Sequence, residues 1–131
     1  MGEHAPIPRI SPLNALLGVD VTDLESGEVR LELEPGDVHR NELGAVHGGV
    51  VTSLLDGAMG RAVGRSLAGQ GTCATVQLSV QFVAAAEGRL RAESHTVRIG
   101  GRVAFMEAEC VRIDDGRLVA RAHGTWAIRR D

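Results

Sequence analysis

Neither lysine nor tyrosine occurs in the 131 residues, and the aromatic set is two phenylalanines and one tryptophan. Without lysine there is no Schiff-base chemistry and no anchor for pyridoxal phosphate, and a catalytic Tyr/Lys pair is ruled out as well. Cysteine is scarce: Cys73 and Cys110 are far apart and form no CxxC, which argues against a zinc site or disulfide framework and for two reduced, buried thiols. The five histidines, at 4, 39, 47, 95 and 123, also lack metal-ligand spacing. Arginines are spread along a chain of net charge -3, without a basic cluster or an aromatic stacking platform, so nucleic acid is not an expected partner. The N-terminal MGEHAPIPRI lacks the basic flank and apolar core of a signal peptide, and no apolar run is long enough to span a bilayer. The expectation is a soluble cytoplasmic protein without a membrane partner.

What is present suits one globular domain over residues 1–131, with a core built from Val, Leu and Ala. The first ten residues carry two prolines and no periodicity, and read as a loose terminus. Ser11 and Pro12 form an N-cap and first-turn pair for a short helix through Leu17, which Gly18 stops. Val29, Leu31 and Leu33 alternate with charged residues in a half-buried strand, paired with an earlier strand through Val19 and Val21. A long helix follows, beginning near His47 and Gly48. In the strand from Thr75 to Phe82, Val76, Leu78, Val80 and Phe82 are expected on one face and Thr75, Gln77, Ser79 and Gln81 on the other. Glycine breaks then divide the remainder into strands of roughly 89–99, 102–113 and 117–129, giving an expected four-strand antiparallel meander. Trp126 is expected as a core anchor.

Within this layout Asp56 stands out, as the only ionised side chain between Glu42 and Arg61 in the run LGAVHGGVVTSLLDGAMG. Val50, Val51, Leu54, Leu55, Ala58, Met59, Ala62 and Val63 recur at helical spacing with almost no polar stripe, which predicts a helix buried nearly all round. Burying an unpaired carboxylate costs several kcal/mol, so Asp56 is satisfied structurally, faces a wet subunit interface, or is chemically employed. A sheet covering one side of such a helix leaves apolar surface over, so a homo-oligomer is expected on packing grounds.

Several templates for the chemistry fail. Ser53 lies inside the helix with no GxSxG around it, and the glycines at 44, 48, 49, 57, 60 and 64 match neither a Walker loop nor a GxGxxG. What remains is the segment from Asn41 to Asp56. The first amides of the helix have no intrahelical partner and point outward as donors, and Gly48 and Gly49 allow a ligand oxygen to approach them closely.

This segment, Asn41-Glu42-Leu43-Gly44-Ala45-Val46-His47-Gly48-Gly49 followed by Asp56, resembles the hotdog-fold acyl-CoA thioesterases, specifically the phenylacetate-degradation (PaaI-like) group. Ser79-Val80-Gln81-Phe82, Val97-Arg98-Ile99-Gly100-Gly101-Arg102 and Gly116-Arg117-Leu118-Val119-Ala120 extend the likeness over most of the chain after residue 13. The resemblance implies an α+β hotdog fold, an antiparallel sheet wrapped around one long central helix. It implies Asp56 as general base or nucleophile, the Gly48 amide as oxyanion donor, Asn41 orienting water or substrate, Thr75 beside the acid, and His47 orienting the loop. Gly49, Leu55 and Met59 are then expected at the substrate, with Arg98 and Arg102 flanking a turn that could meet CoA phosphates. Val83-Ala84-Ala85-Ala86 stands where many relatives carry an Arg-Pro or similar pair.

The expected reaction is hydrolysis of a small aryl- or medium-chain acyl-CoA, without metal or cofactor because a thiolate is a fair leaving group. A non-catalytic acyl-CoA sensor and a hotdog hydratase or dehydratase using His47 are the alternatives. Gly48 and Asp56 lie roughly 12 Å apart along one helix, so one carbonyl cannot touch both. The second group must then come from another copy, with a dimer as the minimal unit and a tetramer expected.

Overall fold

The computed structural model describes residues 10–131, so all but Ile10 of the expected loose terminus lies outside the described residues. Helix α1 spans Pro12–Leu17; the Asn14 amide donates to Ser11 Oγ at 3.0 Å, and Gly18, at φ +74°, terminates the helix in the left-handed region. Strands β1 (Asp20–Asp23) and β2 (Val29–Leu33) pair antiparallel, with Val29, Leu31 and Leu33 buried as their alternation requires. A 3₁₀ turn over Asp37–His39, which the sequence pattern does not announce, buries His39. Its Nδ1 accepts from the Gly36 amide at 2.9 Å, so Nε2 carries the proton and donates to the Leu17 carbonyl at 2.7 Å. That histidine ties the end of α1 to the loop leading into helix α2, which spans Gly48–Ser66.

Strands β3 (Gly71–Phe82), β4 (Leu90–Ile99), β5 (Val103–Arg112) and β6 (Leu118–Arg130) complete one antiparallel sheet of order β1-β2-β4-β5-β6-β3. Helix α2 lies against the inner face of that sheet, the α+β arrangement expected. Leu31, Leu54, Leu55, Met59, Met106 and Trp126 are among its sealed core side chains. Among the described residues no helix is long and apolar enough to cross a membrane.

Three expectations need correction. Only β4, β5 and β6 form a meander, since β3 pairs with β6 at the far edge. Residues 83–89 provide the link between β3 and β4. A seven-residue link reaches roughly 23 Å when extended, ample for the roughly 14 Å across three strand spacings. Alternation within a strand says nothing about which neighbour it takes.

The second correction concerns facing. A bulge between Thr75 and Gln77 leaves Val76 as an extra residue, 66 % exposed. Thr75 is therefore paired with Trp126, on the same inner face as Leu78 and Val80, rather than on the outer face with Gln77 and Ser79.

Third, α2 is not buried all round. Its eight apolar residues face the sheet, but Thr52, Ser53, Asp56, Gly57, Gly60, Arg61 and Gly64 form a half-buried strip that this chain leaves uncovered. Asp56 is thus a half-buried acid on an open strip.

Candidate active site

Local backbone chemistry builds the start of α2. Asn41 Oδ1 accepts from the amides of Leu43 (3.0 Å) and Ala45 (3.1 Å), and Gly44 at φ +82° closes the turn, so the Asn41 carbonyl shapes the loop. His47 is the N-cap: its Nδ1 accepts from the Gly49 amide at 2.8 Å. A Cβ on Gly49 would stand 2.9 Å from that nitrogen, so glycine here is required by the capping imidazole. The Gly49 donor is consumed in the cap. The amide of Gly48 has no hydrogen-bond partner among the described residues, as expected for the first residue of a helix. Gly48 borders a cleft of about 440 Å³ lined also by Leu43, Val46, Phe82, Ala84 and Ala86.

Two turns further along, Asp56 opens into a different cleft, about 760 Å³, formed between the uncovered strip of α2, the start of β3 and α1. Thr75 Oγ1 donates to Asp56 Oδ1 at 2.9 Å. Cys73, one inward position earlier on β3, shares this cleft; burial first and the Asp56 charge second raise its thiol above the ordinary range. Gly57, Gly60 and Gly64 form the floor, and Asn14 and Trp126 line it.

The structure therefore brings Thr75 to Asp56, and sets Asn41 and His47 in the loop before Gly48 with Gly49 beside it in the first turn of α2, but keeps Asp56 and Gly48 in separate clefts of one chain. Leu55 and Met59, expected at the substrate, are fully buried between helix and sheet, which corrects that reading: their side chains leave the helix toward the sheet and away from the Asp56 strip. Arg98 and Arg102 flank the β4–β5 turn, exposed, and line neither cleft. The sequence reading missed Cys73, Trp126 and Asn14. The glycine spacing at 57, 60 and 64 was the available sign of an uncovered helix face there. Among the described residues no cluster of three or more His, Cys, Asp or Glu side chains is arranged to hold a metal ion.

Comparison with known proteins places the fold. The family model for the thioesterase superfamily matches residues 43–120, from the loop before Gly48 into β6. The chain belongs to the thioesterase superfamily. A Halobacterium salinarum protein named as a candidate esterase is 34 % identical over 129 residues, covering 91 % of this chain and 85 % of its own. A Bacillus halodurans protein solved with CoA superposes at a TM-score of 0.84 with 28 % identity, covering 95 % of this chain and 83 % of that one. A Ralstonia eutropha candidate thioesterase, described as related to phenylacetic acid degradation, superposes at 0.80 with 30 % identity, covering 94 % and 92 %. This thioesterase-superfamily chain is thus a hotdog-fold thioester hydrolase.

Proposed function

We propose that the protein hydrolyses acyl-CoA thioesters with small aryl or medium-chain acyl groups, at sites shared between two copies. One observation carries the composite site: Asp56 and the unpaired Gly48 amide open into different clefts of one chain, eight positions apart on one helix. A reacting carbon must lie about 3 Å from base and oxyanion donor alike, so each cleft supplies half of what hydrolysis needs. In this reading the thioester carbonyl oxygen accepts from the Gly48 amide of one copy. Asp56 of the other, held by Thr75, either takes a proton from a water that attacks the carbonyl carbon or attacks that carbon itself to give an anhydride that water then hydrolyses; on both routes the C–S bond breaks and CoA departs as thiolate. The chemistry calls for no metal or redox cofactor. CoA as the leaving group is supported by the Bacillus halodurans relative solved with CoA, and the aryl acyl class by the Ralstonia eutropha relative.

Pairing of copies is supported by the edge strand β3, which exposes Val76 and Phe82. The test is CoA release from a panel of aryl- and alkyl-acyl-CoAs by wild type and Asp56→Asn. The variant is expected to lose roughly 10²-fold or more in kcat, the scale of removing a general base; unchanged turnover sinks the assignment. Mixing Asp56→Ala chains with chains altered at Gly48 is expected to restore activity in heterodimers carrying one intact composite site.

A further inference from the structure

Trp126 is 2 % exposed, yet its indole N–H takes part in no hydrogen bond among the described residues. A buried tryptophan ordinarily finds a partner for that group, which can only donate. No side-chain nitrogen or oxygen among the described residues is both sealed from solvent and unpaired, so this N–H reaches open space. The space is the Asp56 cleft, where Trp126 stands opposite Gly60: a Cβ on Gly60 would lie 3.2 Å from Nε1. Gly60 is four residues beyond Asp56, roughly 6 Å along the helix. The Asn14 side-chain amide, also without a partner, faces the same cleft opposite Gly57.

We propose that the Trp126 N–H recognises a hydroxyl or carbonyl oxygen carried on the acyl group within a few bonds of the thioester carbon, making Trp126 a specificity-determining residue. The inference rests on the acyl-CoA thioesterase reading above, and it narrows the substrate class to oxygenated acyl groups. A plain acyl group covers the N–H without pairing it, and a buried donor left unpaired is what makes such a site discriminate. Asn14, able both to donate and to accept, suits the other hydrogen-bonding positions of a hydroxyl.

The test compares matched acyl-CoAs with and without a hydroxyl, 3-hydroxyoctanoyl-CoA against octanoyl-CoA and one aryl pair, on wild type, Trp126→Phe and Gly60→Ala. Phenylalanine keeps a buried ring and removes the donor, while alanine at 60 leaves the indole in place and covers its N–H with a methyl group. Wild type is expected to prefer at least one hydroxylated member about tenfold or more in kcat/KM, and both variants to bring that ratio toward one. Because Trp126 is the sole tryptophan and tyrosine is absent, emission excited in the indole band gives a readout independent of turnover. The hydroxylated free acids are expected to shift it further than the plain acids. No preference in wild type, or a preference that survives in both variants, overturns the inference while hydrolysis of any thioester leaves the enzymatic reading standing. A fluorescence response to the hydroxylated acids without CoA release from any thioester overturns the enzymatic reading and keeps the binding role. Absence of both overturns both.

Discussion

A chain without lysine or tyrosine has few groups to titrate between the histidines and the arginines, so its alkaline stability belongs largely to its thiols. Cys110 is sealed in the core on β5, paired in register with Ala92 and Ala120, and burial pushes its thiol from 9.0 to about 12. The folded-state value lies above the unfolded one, so the protonated thiol contributes stability in full below about pH 9 and loses it as pH rises toward 12. At about 1.4 kcal/mol per pH unit of separation, the full loss is roughly 4 kcal/mol. About half of it is spent by pH 10.5, and that is a large fraction of a domain's margin. Cys73 adds a contribution of the same sign, since burial and then the Asp56 charge raise its thiol too. The assay is denaturant unfolding at fixed protein concentration under reducing conditions, followed by the single tryptophan, at steps from pH 7 to 11. Wild type is expected to hold level to about pH 8.5 and then decline. Cys110→Ala is expected to start lower, because it leaves a small cavity, but to decline less steeply, so that the two curves converge. Curves that stay parallel from pH 7 to 11 refute the assignment of the alkaline loss to the buried thiol.

Two further outcomes follow from contacts at β3. Thr75→Val removes the donor at 2.9 Å from Asp56. It is expected to lower kcat roughly tenfold, because the carboxylate loses the hydrogen bond that holds it in place. Gly124→Ala would place a Cβ 2.7 Å from the Trp126 ring and 3.0 Å from the Gln77 carbonyl, a backbone atom that cannot swing aside. It is expected to cost about 1–3 kcal/mol in denaturant unfolding.

Features written in local chemistry were legible. The Ser11-Pro12 start and Gly18 stop of α1, the alternation of β2 and the glycine breaks around β4, β5 and β6 each depend on a few neighbouring residues. The orientation of Thr75 did not follow, because one extra residue at Val76 inverts the facing on one side of the bulge and carries no signature of its own. Leu55 and Met59 were assigned to the wrong environment for a related reason. Helical spacing shows that these residues share an apolar arc, but not that the sheet covers that arc while the Asp56 strip stays open. The apolar count along α2 overstated its burial, since the glycines at 57, 60 and 64 read as compatible with a core yet line a cleft.

Strand β3 borders both half-sites: Thr75, in its first half, holds Asp56, and the ring of Phe82, at its end, lies 3.4 Å from where a Cβ of Gly48 would be. It is also an edge strand with one unpaired side. If a second copy pairs along that side, an antiparallel register sets the beginning of one β3 against the end of the other. The Asp56 cleft of each copy then comes beside the Gly48 cleft of its partner, twice over by symmetry. A parallel register would set acid beside acid, adding charge repulsion and leaving each carboxylate without an oxyanion donor. In the proposed enzyme, the register of edge pairing and the assembly of the catalytic groups are therefore one geometric condition.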